Sequence, residues 1–148
     1  MAKGPLGFPV VDVAVTLTDG SYHSVDSSEL AFRTAGRIAM HDALAVAAPL
    51  LLEPVQRVVL TCPSNATSRA TSATAGRRGQ MLGMAPRDGW TGWDRIDALI
   101  PESELDGLEA ELRSLSHGLA SYEASFDHLA EVSGAQAEKL RARIDEHA

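Results

Sequence analysis

The chain has 148 residues, 45% of them hydrophobic, which is typical of one medium globular domain or two small ones. Its net charge of −7 argues against general nucleic-acid binding but leaves room for local basic patches. The single cysteine, Cys62, excludes an intrachain disulfide and predicts a reducing, cytoplasmic location. No apolar run approaches the roughly 20 residues of a membrane span, and no secretory signal opens the chain, so we expect no membrane partner.

The first patterned segment runs from Gly7 to Arg33 and predicts a strand, a hairpin turn, a second short strand and a helix. Its apolar residues alternate with small or polar ones, as in a half-buried strand: Val11, Val13, Val15 and Leu17. Asp19-Gly20 predicts the turn, because glycine tolerates positive φ. Asp26 precedes Glu29 by three residues, the spacing of a capping box. The polar tip between turn and cap therefore predicts a contact site, formed by Ser21, Tyr22, His23 and Ser24.

The next segment, Leu30 to Ala48, predicts a helix that ends before Pro49. Helical spacing gives it an apolar stripe, which we expect to be buried: Leu30, Ala31, Ala35, Ile38, Ala39, Leu44 and Ala47. Three basic or titratable residues repeat every four positions on another face: Arg33, Arg37 and His41. They form either a phosphate-facing row or a solvated face that is paired with Glu29 and Asp42.

From Pro54 onward the pattern predicts a β-α-β-β-α-β order, the plan of a ferredoxin-like domain in the α+β class. We expect strands at 54–61, 79–84, 95–100 and 119–129, and an amphipathic helix from Glu104 to Ser114 with an apolar repeat at Leu105, Leu108, Leu112 and Leu115. The segment Ser64 to Gly76 is ambiguous. If it is a helix, it can turn only small residues inward, namely Ala66, Ala70, Ala73 and Thr74. A polar helix is expected over Ala135 to His147.

Several of these segments carry a family resemblance. GFPVVDVAVTLTDGSYHSVDSSELAF, followed by LLEPVQRVVLTCP, closely resembles the C-terminal part of elongation factor G, the bacterial translocase. RRGQMLGM and ELRSLSHGLASYEASFDHL resemble the last domain of the same family. The resemblance implies that residues 1–48 are the second half of domain IV, a partial βα unit of a ribosomal-protein-S5-like domain. Residues 49–133 are then the ferredoxin-like domain V, and 134–148 a helical tail.

The resemblance also implies a function, which is ribosome binding within a GTPase that drives tRNA–mRNA translocation. The four tip residues would contact the tRNA–mRNA duplex in the decoding site, with His23 foremost. Further partners would be ribosomal RNA and the proteins of the stalk base. Basic side chains are the candidates for these contacts: Arg33, Arg37, Arg69, Arg77 and Arg78. In the family the basic run that corresponds to Arg77 and Arg78 ends the first helix of domain V, where a cation also favours the helix dipole, so the two residues are alternatively a cap.

The chemistry of the chain is expected to be binding, with no catalytic residue. The sequence has no G-x-x-x-x-G-K-[ST] phosphate loop, so GTP and Mg²⁺ are implied only for a GTPase domain outside this fragment. The five histidines are scattered without metal-ligand spacing, and Cys62 is expected to be a structural thiol. Because the partner strands of the half domain are missing, we expect the isolated fragment to dimerise through its exposed apolar face, without physiological meaning.

The sequence departs from the family pattern at three places, and two of them, the segment from Ser64 to Gly76 and Leu119, suggest a divergent paralogue. The segment from Ser64 to Gly76 offers only alanine and threonine where the family has large aliphatic residues, and its Ser, Thr and Arg69 side chains could instead face phosphate. Leu119 stands where the family tends to have a basic residue, and Ser24 where it has an acidic one. Two alternatives to translocation follow: a paralogue that protects or rescues ribosomes, and a protein-interaction module.

Trp90 and Trp93 predict a packing cluster, with base stacking as the alternative.

Overall fold

The computed structural model describes residues 4–132 and 134–138. It forms two compact units, Met1–Leu51 with Val132–Ala148, and Leu52–Glu131. The domain boundaries expected after residues 48 and 133 stay predictions. Within the described ranges, no helix combines the length and the hydropathy needed to cross a membrane.

The first unit contains one long helix, α1, over Glu29–Val46. Its first residue lies within one position of the predicted Leu30, but the predicted cap at Asp26 was wrong. Ser28 is the N-cap, and its Oγ accepts a hydrogen bond from the backbone N–H of Ala31 at 3.1 Å. Asp26 lies instead in the preceding turn, which ends at Ser27 and fixes the start of the helix two residues later than the capping-box spacing suggested.

The predicted strands before α1 were also wrong, because no strand forms between Val10 and Tyr22. The backbone at Asp12 has a φ of 56°, which interrupts an extended strand. The alternating apolar side chains are exposed, Leu17 to 88%. The predicted burial of the apolar stripe on α1 was also wrong, since no residue of α1 is buried. Alternation and helical spacing assign residues to a face, but burial also requires a second surface against that face, and the residues of α1 reach at most intermediate burial.

The second unit is a four-stranded antiparallel sheet with two helices, which confirms the ferredoxin-like prediction. In chain order its elements are β1 Leu52–Pro63, α2 Thr67–Gly76, β2 Gln80–Pro86, β3 Trp93–Pro101, α3 Leu108–Leu115 and β4 Ser121–Glu131. The strand order in the sheet is β2-β3-β1-β4. Leu60 lies opposite Ile96 on one side and Tyr122 on the other, which places three apolar side chains on the same face.

The core lies between this face of the sheet and the two helices. Its members come from both central strands and both helices: Val58, Leu60, Cys62, Ala66, Ala70, Ile96, Ala98, Ile100, Leu108, Leu112 and Ala120. The inward positions of the apolar repeat are confirmed, because Leu108 and Leu112 are fully buried and Leu105 and Leu115 pack against the core. The predicted start at Glu104 was wrong, since α3 begins at Leu108 and Leu105 lies before it.

The ambiguous segment is helical, and α2 turns the small residues inward as expected: Ala66, Ala70, Ala73 and Thr74 are all buried. Such short side chains bury little apolar area, so the helix gains less from each contact than one carrying leucine would. Part of the expected C-terminal helix is present as a helical turn over 134–138. The remainder of Ala135 to His147 lies outside the described residues.

Candidate functional site

The expected contact residues of the tip lie in an exposed, locally ordered loop. The N–H of His23 donates to Ser27 Oγ at 2.7 Å, and the N–H of Ser27 donates to the carbonyl oxygen of His23 at 3.0 Å. Tyr22 is 72% exposed, and Ser21, His23 and Ser24 are exposed beside it. The loop therefore presents an imidazole, a phenol and two hydroxyls on a backbone that is fixed at His23.

Sequence reasoning missed the residues that order this loop. Ser27 closes the turn and Ser28 caps α1, so two adjacent serines join the tip to the helix. The signal was present as a Ser-Ser pair directly before an apolar-periodic run, but Asp26 offered a competing capping box. Both serine and aspartate are good N-caps, and the choice between them depends on the turn that precedes the helix.

The basic row on α1 is partly paired, as the solvated alternative expected. Arg33 forms an ion pair with Glu29 at 2.7 Å, and His41 Nδ1 lies 3.4 Å from Asp42. Arg37 has no acidic partner among the described residues. Exposed pairs of this kind contribute at most about 1 kcal/mol, so the row costs little to rearrange around a phosphate.

Arg77 is bound inside the second unit. Its Nη1 donates to the carbonyl oxygens of Glu104 and Asp106 at 2.6 and 2.7 Å, and its Nε and Nη2 donate to Glu111 at 3.1 and 2.8 Å. One guanidinium thus ties the C-terminal end of α2 to the segment that leads into α3.

Arg78 makes a second set of internal contacts. Its Nη1 and Nη2 donate to the Glu53 carboxylate at 2.7 and 2.9 Å, and its Nε donates to Glu104 at 2.9 Å. The hydrogen bonds to Glu53 raise the pKa of Arg78 further above its usual range. The residue has a φ of 56°, a left-handed conformation that favours glycine. These contacts therefore hold a backbone turn that arginine alone disfavours.

The structure gives Arg77 and Arg78 a stabilising role that the sequence did not reveal. Their partners lie 25 to 34 positions away in sequence, so no local spacing pattern could predict these pairs. Glu111 accepts hydrogen bonds from Arg77, and Glu104 accepts one from Arg78. Contact with the ribosome at Arg77 and Arg78 stays a prediction.

Arg69 lies on the outer side of α2, at an open groove of about 790 Å³ between α2 and α3. Ser68 and Ser72 line the same groove. Among the described residues, no carboxylate pairs with Arg69, in contrast to Arg77 nearby. Arg37 and Arg69 are therefore the two candidate cations whose charge no described acidic residue offsets.

The outer face of the sheet carries another charge cluster. Arg95 donates to both carboxylate oxygens of Asp97 at 3.0 and 2.9 Å, and Arg57 lies 3.6 Å from the same carboxylate. The hydrogen bonds from Arg95, followed by the nearby positive charges, lower the pKa of Asp97. This cluster was not recognised in the sequence, because Arg57 lies on a different strand from its partner.

The lowered pKa of Asp97 predicts a pH-dependent contribution to stability. The contribution is fully present above the unfolded pKa of about 3.9 and is lost as the pH falls through the lower folded pKa. Asp97→Asn should cost roughly 0.5–1 kcal/mol at pH 7, because Arg95 is half exposed, and the difference from wild type should shrink towards pH 2. Urea unfolding at both pH values measures it, with Asp88→Asn in an exposed turn as the control. A difference that is equal at both pH values would contradict the prediction.

The described residues bear on two of the sequence's candidates for chemistry, a metal cluster and the thiol of Cys62. None of them forms a cluster of three or more His, Cys, Asp or Glu side chains that could hold a metal ion. Cys62 is fully buried, and burial raises the pKa of its thiol, which disfavours the reactive thiolate.

Comparison with known proteins places these features in a family. Residues 1–48 match the family model "Elongation factor G, domain IV", and residues 50–140 match "Elongation factor G C-terminus". The chain is 49% identical over 141 residues to an elongation factor G-like protein of Synechocystis sp. (strain ATCC 27184 / PCC 6803 / Kazusa), an alignment that covers 95% of the chain and 21% of the relative. A crystal structure of a protein from Thermus thermophilus matches with a TM-score of 0.87 and 35% identity, over 99% of the chain and 22% of that protein.

The chain therefore spans about one fifth of the length of these relatives. The two matched models follow one another along the sequence in the order predicted from its motifs. Such C-terminal domains support a role as part of a translation factor. The chain belongs to the elongation factor G family.

Proposed function

We propose that this chain is the ribosome-binding, C-terminal part of a cytoplasmic translational GTPase that moves tRNA and mRNA. The loop around His23 reaches the decoding site and contacts the tRNA–mRNA duplex, while the ferredoxin-like unit docks on the large subunit. The observation that carries the proposal is the geometry of the loop. Two hydrogen bonds to Ser27 fix the backbone of His23, and its side chain is exposed beside Tyr22.

The side chains of this loop suit a contact with RNA that does not depend on the base sequence. Imidazole, phenol and hydroxyl groups donate to and accept from sugar and phosphate atoms, which are alike in every codon. A translocase needs a contact of this kind, because it has to move every codon, whatever its bases. Arg69, on the ferredoxin-like unit, is the cation available at the large subunit for phosphate or for proteins of the stalk base, and Arg37, on α1, is available for phosphate beside the loop.

Hydrolysis of GTP would supply the energy for movement. GTP and Mg²⁺ would bind in a part of the full-length protein outside this sequence, because the sequence lacks the phosphate loop that holds a nucleotide. The residues of this chain would then transmit and direct the movement through binding.

The test is the rate of translocation by the full-length factor carrying His23→Ala. Loss of one net hydrogen bond of about 0.5–1.5 kcal/mol should slow movement of a fluorescently labelled mRNA roughly 2- to 12-fold. Ribosome-dependent GTP hydrolysis should stay near the wild-type rate, since the nucleotide site is elsewhere. Val25→Ala is the matched control, because Val25 is exposed in the same loop and offers no hydrogen-bonding group.

Other outcomes would favour the alternatives. Normal translocation by the His23→Ala factor, with a defect only on drug-stalled ribosomes, would favour a role in ribosome protection or rescue. Absence of ribosome binding by the wild-type factor with either GTP or GDP would favour a protein-interaction module.

A further inference from the structure

The connection between β2 and β3 is built from two consecutive tight turns, each of which ends in a tryptophan. The N–H of Trp90 donates to the carbonyl oxygen of Arg87 at 3.1 Å, and the N–H of Trp93 donates to that of Trp90 at 3.2 Å. The third residue of each turn is a glycine with positive φ, 76° at Gly89 and 79° at Gly92. The sequences RDGW and WTGW therefore encode the same turn twice, because this position favours glycine.

This tryptophan turn, residues 87–93, is anchored at both its ends and its side. The N–H of Arg87 donates to the carbonyl oxygen of Trp93 at 2.8 Å, which closes the base of the connection. The N–H of Ser64 donates to the carbonyl oxygen of Gly92 at 2.9 Å, which fastens the turn to the segment before α2. The turn thus presents its side chains on a constrained backbone.

The side chains form an exposed aromatic and cationic cluster. The guanidinium carbon of Arg87 lies 3.8 Å from the centroid of the Trp90 ring, and the two tryptophan rings meet edge to face at 5.2 Å. Trp90 remains 48% exposed, whereas Trp93 is half-buried at the start of β3. Trp93 therefore supports the cluster, and Trp90 is the ring that a partner can reach.

The local charges leave Arg87 available to an anion. The Asp94 carboxylate accepts from Thr67 Oγ1 at 2.6 Å and from Ser64 Oγ at 3.1 Å, so it is directed towards α2. Asp88, in the turn itself, is exposed and has no ion pair with Arg87 among the described contacts. A planar ring with a cation stacked on it suits a partner that has both a π face and a negative charge.

We propose that the tryptophan turn binds an unpaired base of single-stranded RNA, with the base stacked at Trp90 and a flanking phosphate at Arg87. A nucleotide is the unit that joins an aromatic face to an anion, and stacking on an exposed aromatic ring requires no particular base. The inference rests on the proposed function for the identity of the strand, which is then ribosomal RNA.

The first experiment compares two probes on the full-length factor. One is a ten-nucleotide single-stranded oligoadenylate, and the other is an abasic strand of the same length and charge. We expect the strand with bases to bind about tenfold more tightly, and Trp90→Ala to remove this preference while Trp90→Phe retains it. Arg87→Gln should weaken binding of both strands and reduce its salt dependence by about one phosphate contact. Equal binding of the two strands by the wild-type factor would overturn the proposal.

The second experiment uses ribosomes and separates this inference from the proposed function. Ultraviolet cross-linking of the bound factor should leave a nucleotide adduct on a peptide that contains residues 87–93, and Trp90→Ala should weaken ribosome binding about tenfold. An adduct to a ribosomal protein, or unchanged binding by Trp90→Ala, would overturn the inference while ribosome binding stands. If the factor binds no ribosomes yet still prefers the strand with bases, the proposed function fails and the stacking site remains.

Discussion

Replacing Gly79 with alanine is expected to destabilise the ferredoxin-like unit by about 2–4 kcal/mol, through overpacking and a lost hydrogen bond. A Cβ atom at Gly79 would lie 2.7 Å from Thr74 Cγ2 and closer still to the Thr74 carbonyl oxygen. Thr74 has no room to retreat, because it is 1% exposed and its Oγ1 donates to the carbonyl oxygen of Ala70 at 2.9 Å. The same substitution would break the hydrogen bond from the Gly79 N–H to Thr74, which spans 3.1 Å.

Tryptophan fluorescence during urea unfolding measures the stability of the ferredoxin-like unit. Both tryptophans of the chain, Trp90 and Trp93, lie in the ferredoxin-like unit, so their emission reports its unfolding and not that of α1. Gly76→Ala is the matched control, since no atom lies within 4 Å of a Cβ built there. Alanine near the end of α2 should be neutral or stabilising by roughly 0.5–1 kcal/mol. Equal unfolding midpoints for the two variants would contradict the prediction.

Leu112→Ala is expected to cost about 2–5 kcal/mol, the usual range for removing a large side chain from a packed core. Leu112 is fully buried between α3 and the sheet, where it joins Leu108 in the core. The helix has only eight residues, so it depends on these contacts rather than on its own propensity. Removing the Leu112 side chain therefore also weakens the attachment of α3.

The control for Leu112 is Leu119→Ala, because Leu119 is 56% exposed in the connection between α3 and β4. A surface change of this kind should alter the free energy of unfolding by no more than about 0.5 kcal/mol. A loss at Leu112 as small as the one expected at Leu119 would contradict the prediction that the core holds α3. The comparison also tests whether Leu119 contributes to folding.

The ferredoxin-like unit was predictable because its signals are local. Period-two alternation located the strands, and the four inward positions of α2 followed from the spacing of its alanines and Thr74. The first unit was not predictable in the same way. Alternation from Val11 to Leu17 assigned those residues to faces, but a strand also needs a partner, and pairing is a long-range property.

The candidate site was predictable in its composition and less so in its connections. The sequence identified the tip residues and the arginines, but it did not reveal that Ser27 orders His23. It also did not reveal that carboxylates far along the chain bind Arg77 and Arg78, because the charge of a residue does not determine which opposite charge it pairs with. The two tryptophans were expected to pack together, and the edge-to-face contact bears this out. Their placement depends on two glycine turns whose repetition is visible in the sequence only once the hydrogen bonds are known.

The bond between Ser64 and Gly92 has a mechanical consequence. Ser64 binds the tryptophan turn through its N–H and binds Asp94 through its hydroxyl, while Thr67, in the first turn of α2, binds the same carboxylate. One hydrogen bond thus joins the turn to Ser64, and two more join Asp94, the next residue along β3, to Ser64 and Thr67 at the start of α2. A force applied to the turn would therefore be transmitted to α2 and the core, because hydrogen bonds tie the turn to the segment where the helix begins.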